Sequence, residues 1–379
     1  MNPALSKKNN LGNERKGGMK VLVVTGQSGG HIFPALSFLD RLKQEYADTD
    51  TLLVLPKGAL VSDIAYGSYK VRHISVSNIK LCIDLKFIFA ILKFLKGSLE
   101  GLILFLEFRP DVVVGFGSIV CVPLIIFAWF FRARTLIHEQ NLIPGRANRF
   151  LAKFSDKIAV SFQGSRGYFG VSSGKTVLTG NPIRKELKQT DKDKARDFFG
   201  LSPDKFTVLV MGGSLGSHRI NGGFLSAVSG IKERSSFQVI HLCGSGDYAW
   251  LSDGYKNLGV NVRVFAFLSQ MHYAYSACEL AICRAGATTL AEMIFFQLPA
   301  IIIPYPFAYG HQVANAGILT DRGCAILIRD DELDGNKLKQ NIEHLVDNPD
   351  EIRIMHSRYK GIAWPCADAL LVNEVMSLG

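Results

Sequence analysis

The sequence predicts an α/β protein made of two doubly wound, Rossmann-like parallel sheets. Three observations carry that expectation. Short apolar runs alternate with amphipathic segments along the chain, the pattern of parallel strands covered by helices on both faces. The series strand, glycine-rich turn, helix occurs twice, once from residue 20 and again from residue 206. The chain has 379 residues, enough for two separate cores.

Residues 1–18 are polar, basic and rich in Asn and Gly, without the apolar stretch of a signal peptide, and read as a disordered arm. KVLVV (20–24) is a strand, 26–30 a glycine turn, and the amphipathic pattern from 31 to 46 a helix. Pro34 falls in its first turn, where a missing N–H does no harm. TLLVL (51–55) and residues 71–76 are the next strands. Residues 84–107 have a helical period but are apolar on more than one face. DVVVG (111–115) is a strand leading through Gly117 and Ser118 into a helix over 119–131. RTLIHEQN (134–141) is a strand ending in a polar cluster, a helix starts near Arg146, and KIAVSF (157–162) is a further strand. The hinge is placed at Asn181-Pro182, because proline restricts its neighbour and Asn-Pro favours a turn. Strands FTVLVM, FQVIHLCG, VRVFAFL, CELAIC, AIIIP and CAILI follow, then helices over 350–360 and 365–378. The expected organisation is an arm (1–18), an amino-terminal domain (19–182) and a carboxyl-terminal domain (183–360). Whether the tail over 361–379 returns to the first domain the sequence leaves open.

Net charge is +10, with 48 % hydrophobic residues and a mean hydropathy of +0.17. Such a balance suits an anionic partner: nucleic acid, acidic lipid or a phosphorylated substrate. Nucleic acid fits poorly, because the basic residues alternate with aliphatics and no stacking platform or recognised module is present. The seven cysteines include no C-x-x-C pair and no cluster at metal spacing, so they read as reduced core thiols of a cytosolic protein. No apolar run reaches the ~18 residues of a membrane span. In 79–108, Phe87, Ile91 and Phe94 are interleaved with Lys86, Lys93 and Lys96. This pattern fits a helix lying on an anionic membrane surface, or a long buried helix.

Residues 281–317 combine two buried-strand patterns with a helix that opens at Ala285-Gly286-Ala287-Thr288-Thr289. Small residues there leave amides open to an anion, and Glu292 follows in the next turn. Gln312 and Asn315 follow the second strand, at the sheet edge where open α/β sheets bind ligands. The first glycine turn, Thr25 to His31, lacks the dinucleotide fingerprint and the Walker A lysine. Its His31, at a helix entrance, suits either a neutral proton acceptor or a capping residue. His138-Glu139-Gln140-Asn141 is not H-E-x-x-H, so no zinc site follows. Gly212 to Ser217 opens a helix in a manner suited to a diphosphate, with Arg184 as a hinge-side charge. Asp48-Thr49-Asp50 precedes a strand, on the wrong edge for a metal site.

Together GQSGGHIFPAL, PDVVVGFGS, HEQNLIPGRANR, TGNPIR, MGGSLGS, CRAGATTLAE and PYPFAYGHQVANA, in that order, resemble the MurG family of peripheral-membrane glycosyltransferases. The resemblance runs from about residue 19 to 378. It implies a GT-B architecture, two domains facing across a cleft. It also implies transfer of N-acetylglucosamine from UDP-N-acetylglucosamine to undecaprenyl-diphosphate-linked muramyl peptide (lipid I) at the cytoplasmic face of a bacterial inner membrane. On matching positions it implies that Glu292 binds ribose and that Ala287, Thr288, Thr289, Leu290 and Ala291 belong to the diphosphate helix. Ser214 and Arg184 would lie near the phosphates, Leu268 at the uracil, and Gln312 and Asn315 at the sugar. Ser28, Gly29, Gly30 and Asn141 would close over the sugar, with His31 and Glu139 near the acceptor. Two departures stand out. The first loop reads G-Q-S-G-G-H where G-G-T-G-G-H is usual, and Gly117-Ser118-Ile119 replaces a usual Gly-Gly-Tyr.

The implied mechanism is a direct, inverting displacement with His31 as first and Glu139 as second candidate base, and with helix amides and Arg184 in place of a metal. Three other functions fit parts of the pattern. One is a GT-B enzyme for another lipid acceptor such as diacylglycerol, and another is a non-catalytic sugar-nucleotide-binding protein. The third, a nicotinamide oxidoreductase, is weakened by Pro56-Lys57 where an acidic residue is needed.

Overall fold

A computed structural model of the protein describes residues 18–58, 69–76, 85–307, 310–362 and 366–379. All of the expected arm except Gly18 lies outside the described residues. The first domain runs β1 (Lys20–Val24), α1 (Gly29–Glu45), β2 (Asp50–Pro56), β3 (Lys70–Ile74), α2 (Leu85–Phe108), β4 (Val112–Gly115), α3 (Cys121–Phe130), β5 (Arg134–Glu139), α4 (Arg146–Leu151), β6 (Lys157–Val160) and β7 (Thr176–Leu178). The second runs α5 (Lys192–Phe199), β8 (Phe206–Met211), α6 (His218–Gly230), β9 (Phe237–Leu242), α7 (Tyr248–Tyr255), β10 (Asn261–Phe265), α8 (Met271–Ala277), β11 (Leu280–Cys283), α9 (Ala287–Phe296), β12 (Ala300–Ile302), α10 (His311–Thr320), β13 (Ala325–Leu327), α11 (Gly335–Asp347) and α12 (Pro349–Ser357). The last helix is α13 (Ala367–Met376).

Among the described residues the strands form a seven-stranded sheet, β3-β2-β1-β4-β5-β6-β7, and a six-stranded sheet, β10-β9-β8-β11-β12-β13. Every pairing is parallel. Strand order reverses between β1 and β4 and between β8 and β11, which opens a crevice at the carboxyl ends of both pairs.

The period of two in each strand sorts side chains between two helical layers. Val21 and Val23 pack with Ile32, Phe38 and Leu39 of α1, whereas Leu22 and Val24 pack with Phe105 of α2 and Leu124 of α3. The second sheet repeats the scheme. Leu209 and Met211 meet α8 and α9, while Val208 and Val210 meet α6 and α11. The last helix returns to the first domain, where Leu371, Val372 and Val375 share a core with α1 and Glu374 pairs with Lys157.

One contact orients α2. A Cβ on Gly97 would lie 2.5 Å from Val76 Cγ2 and 2.6 Å from the Ser75 carbonyl, so only glycine allows this approach. Glu100, one turn on, accepts a 2.9 Å bond from Ser75 Oγ. That face is pinned inward, and the opposite face carries Phe89 (70 % exposed), Leu92, Leu95 and Leu99. Ile91 and Lys93 lie among the exposed residues of α2. Phe94 does not, because it packs against the core of α2 and α3. The Phe87 side chain lies outside the described part of the structure.

Candidate active site

Both domains present the carboxyl ends of their strands to one interdomain cavity of about 800 Å³. Its amino-terminal wall is the turn after β1. Ser28, Gly29, Gly30 and Phe33 line the space. A Cβ on Gly26 would lie 2.7 Å from Ser118 Cβ and 2.9 Å from His31 Cδ2, so the glycine lets the turn, the loop after β4 and the histidine ring close on one another. Gly117 and Ser118 both have left-handed backbones, with φ of 84° and 76°. His31 Nε2 lies 3.5 Å from where a Gly117 Cβ would stand. Burial lowers the imidazole pKa to about 4, so it is neutral at physiological pH.

Glu139 ends β5, and both of its oxygens serve the loop that follows. Oε1 accepts from Asn141 N (2.9 Å) and Asn141 Nδ2 (3.1 Å). Oε2 accepts from Gly145 N (3.0 Å) and Asn148 Nδ2 (2.9 Å). The carboxylate is 2 % exposed, and its burial raises the pKa against the pull of those donors. This corrects its candidacy as a base, since four bonds to loop donors occupy its acceptor positions.

The carboxyl-terminal wall comes from the loops after β8, β11 and β12. The first hydrogen bond at the start of α9 runs from Leu290 N–H to the Gly286 carbonyl, at 2.9 Å. The amides of Ala287, Thr288 and Thr289 precede it, Gly286 offers no side-chain cap, and all three residues line the cavity. Leu290 and Ala291 are a correction. Both are fully buried on the core side of α9, outside the cavity wall. Ser214, in the glycine loop after β8, and Leu268, after β10, also line the cavity.

Glu292, also in the wall, is 6 % exposed and held from two sides. Tyr275 donates its hydroxyl to Oε2 at 2.5 Å, and Arg184 Nη2 stands 3.5 Å from Oε1. Burial raises the carboxyl pKa, against the pull of Arg184 and of the tyrosine hydroxyl. Arg184 also lies over the Phe33 ring, 4.6 Å from its centroid, which ties the hinge to α1.

Gln312 accepts from Ala285 N (3.1 Å) and Tyr305 N (2.8 Å) through Oε1, and it lines the cavity. Asn315 does not. Its Nδ2 donates to Asn141 Oδ1 (3.0 Å) and to the Ala285 carbonyl (3.2 Å), and its Oδ1 accepts from Leu142 N (2.9 Å). Asn141 and Asn315, both expected at the sugar, instead join the domains. His311 Nδ1 with the Ile143 carbonyl (2.9 Å) and Thr288 Oγ1 with the Gly30 carbonyl (3.3 Å) join them further.

Tyr275 and Arg284 are among the cavity residues that escaped the sequence reading. Tyr275 sits in an ordinary apolar helix pattern, with no signal to separate it from the core. Arg284 gave a signal, a charge ending a buried strand. Its guanidinium binds Asp330, the carbonyls of Ile303 (3.0 Å) and Pro304 (3.3 Å), and Ser217 Oγ (2.9 Å). It thereby fastens the glycine loop after β8 to the loop after β12. Among the described residues no group of three or more His, Cys, Asp or Glu is placed to hold a metal ion.

The glycosyltransferase family 28 N-terminal domain matches residues 21–160, and the glycosyltransferase family 28 C-terminal domain matches residues 207–362. A protein of Halalkalibacterium halodurans named UDP-N-acetylglucosamine–N-acetylmuramyl-(pentapeptide) pyrophosphoryl-undecaprenol N-acetylglucosamine transferase is 34 % identical, covering 94 % of this chain and 99 % of its own. The protein of that name from Bacillus subtilis is 32 % identical over 95 % of this chain and 99 % of its own. A crystal structure of MurG from Acinetobacter baumannii superposes with a TM-score of 0.74 at 24 % identity, covering 95 % of this chain and 99 % of that one. A UDP-GlcNAc 2-epimerase from Neisseria meningitidis, bound to UDP-GlcNAc, has the same two-domain fold at a TM-score of 0.70 and 16 % identity, covering 95 % and 100 % of the two chains. With both domain types matched in order and relatives of this identity aligned over nearly their full length, the chain belongs to glycosyltransferase family 28.

Proposed function

We propose that the protein is an inverting glycosyltransferase of peptidoglycan synthesis. It moves N-acetylglucosamine from UDP-N-acetylglucosamine to the 4-hydroxyl of the muramyl sugar in undecaprenyl-diphosphate-linked muramyl peptide, converting lipid I to lipid II. The observation that carries this reading is one cavity with two unlike walls, in a chain whose relatives are named for this transfer. One wall offers a buried carboxylate, free helix amides and arginines, which suit a nucleotide diphosphate. The other offers a glycine turn, Ser28 to Gly30, which suits a sugar hydroxyl, with the neutral His31 ring set behind it against Gly26 and Gly117.

In the reaction the acceptor oxygen forms a bond to the anomeric carbon as the bond from that carbon to the diphosphate oxygen breaks. UDP leaves with the electron pair. His31 takes the hydroxyl proton on Nε2, and the negative charge of the bound diphosphate raises its proton affinity at that moment. The amides of Ala287, Thr288 and Thr289, with Ser214 and Arg184, stabilise the leaving diphosphate. Glu292 selects ribose and Gln312 the sugar. Glu139 positions the loop over 139–148. Activity in the presence of chelator tests whether these protein groups suffice without a metal.

Among the described residues no helix is long and apolar enough to cross a membrane. The exposed apolar face of α2, with Lys93 and Lys96 beside it and Trp129, Phe130 and Phe131 exposed at the end of α3, suits a peripheral site on an anionic leaflet. The protein would dock there, at the cytoplasmic face of the inner membrane, and meet its lipid acceptor. One assay tests both parts. Vesicles with anionic lipid carry either lipid I or diacylglycerol, and labelled donor is supplied. Transfer to lipid I alone, falling when Ile91, Leu92 and Leu95 are changed together to serine, supports the reading. Transfer to diacylglycerol would replace it.

A further inference from the structure

His31 has two ring nitrogens in different surroundings. The ring is wedged between Gly26 and Gly117, with Nε2 on the Gly117 side. Nδ1 is sealed from solvent and has no hydrogen-bond partner among the described residues. A base that accepts on Nε2 must carry its proton on Nδ1, and that N–H needs an acceptor. A buried polar group without a partner is destabilising, so such groups are normally satisfied by protein or ordered water.

Asn181 has the same deficit twice. It is 0 % exposed, and neither Oδ1 nor Nδ2 has a partner among the described residues. Its neighbours fix where it lies. The Gly180 carbonyl, one residue before, is 2.9 Å from His138 Nε2 at the end of β5. The Ile183 carbonyl, two residues after, accepts from Ser37 Oγ of α1 at 2.6 Å. Asn181 therefore sits between β5 and α1, the helix that carries His31 in its first turn. Thr25 shares this layer. It has the strand parity of Val21 and Val23, which face α1, it is fully buried, and its Oγ1 is likewise unpartnered.

We infer that Asn181 is a positioning residue for the transfer reaction, holding the Nδ1–H of His31 through one buried water that Thr25 also binds. Such a water makes about three hydrogen bonds, as many as this set of residues offers partners. It accepts from His31 Nδ1–H and donates to Asn181 Oδ1 and Thr25 Oγ1. The link fixes the tautomer and leaves the lone pair on Nε2, on the Gly117 side of the ring. It plays the part of an orienting third group in other catalytic constellations, with a neutral carboxamide instead of a carboxylate. The titratable groups on the elements packed around His31 are His138 of β5, Glu139, whose oxygens are held by the 139–148 loop, and Arg184 of the hinge, held by Glu292 and Phe33. This inference rests on His31 as the base.

The test uses full-length enzyme labelled with ¹⁵N-histidine, with lipid I as acceptor. In wild type, His31 is expected as the Nδ1–H tautomer. Asn181→Ala or Asn181→Ser should shift it toward Nε2–H and lower kcat on the order of 10–100-fold, with donor KM little changed. Asn181→Asp places a carboxylate in the same position and should move the acid limb of the kcat–pH profile upward by about one unit or more. A merely structural asparagine would change melting temperature and leave tautomer and limb in place. An unchanged tautomer in Asn181→Ala together with an unmoved limb in Asn181→Asp overturns the link. If His31→Ala keeps near-normal turnover while the tautomer still follows Asn181, the link stands and the assignment of the base fails instead.

Discussion

Tyr275 and Glu292 are joined by a 2.5 Å hydrogen bond in the wall of the interdomain cavity. The carboxylate is thereby fixed before any nucleotide arrives. Hydrogen bonds to charged groups are worth about 1.5–3 kcal/mol, part of which falls on folding. Tyr275→Phe should raise the KM for UDP-N-acetylglucosamine roughly tenfold and leave kcat within a few-fold. Steady-state kinetics over donor concentration read this directly. Wild-type donor KM in the variant would show that the hydroxyl does not prepare the site.

Gln312 and Asn315 lie three residues apart on α10 and do different work. Gln312 faces the cavity, whereas Asn315 bridges to Asn141 and Leu142 of the other domain. Substitution of Gln312 by Ala should alter the preference between UDP-N-acetylglucosamine and its 4-epimer. Asn315→Ala should leave that preference unchanged but lower kcat/KM about tenfold or more, because it frees the loop over 139–148 and leaves the Leu142 amide without its acceptor. A preference that shifts in Asn315→Ala would return that residue to the sugar site.

Ser118 holds a left-handed backbone at φ 76°, a region that favours glycine. Holding a residue with a side chain there stores strain of order 1–3 kcal/mol. Ser118→Gly should relieve about 1 kcal/mol and raise the melting temperature by a few degrees. A lower melting temperature would mean that the serine side chain contributes more than its backbone strain removes.

His138 and His241 are buried and His31 is half-buried with its Nδ1 sealed from solvent; all three have lowered pKa values, His31 and His138 at about 4 and His241 at about 3, against an ordinary 6.5. Between those values the unfolded chain binds more protons than the folded one, so stability is full above pH 6.5 and is lost as pH falls toward 4. Each histidine contributes a slope of up to ~1.4 kcal/mol per pH unit in that window. Glu139 and Glu292, with pKa values raised by burial, act in the opposite sense as pH rises above 4.5, but the histidines outnumber them. Urea denaturation at a series of pH values should show stability falling from pH 6.5 to 5. A flat profile would count against buried, neutral histidines.

The sheets were legible because parallel strands covered on both faces read as unbroken apolar runs, as in the VVVG of β4, and because each glycine turn marks where a strand hands over to a helix. The helix start at Ala287 was legible for the same reason, whereas α1 begins at Gly29, two residues before the expected 31. Contacts between distant segments were not. Nothing local distinguishes Asn315, which reaches Asn141 across 174 positions, from Gln312, which turns into the cavity. A helix as apolar as α2 cannot announce which face is covered. The approach of Gly97 to Val76 decides that, and it places Phe94 inside and Ile91 outside. Motif matching also carried Leu290 and Ala291 along with the free amides before them, although helix geometry exposes only the first turn.

The most direct measurement is transfer of labelled N-acetylglucosamine from its UDP donor to a lipid I analogue by the purified protein, with chelator present, alongside His31→Ala. The account predicts product from the wild-type enzyme and a loss of roughly 10²–10⁴-fold in the variant. Binding of the donor without any transfer to lipid I would contradict it.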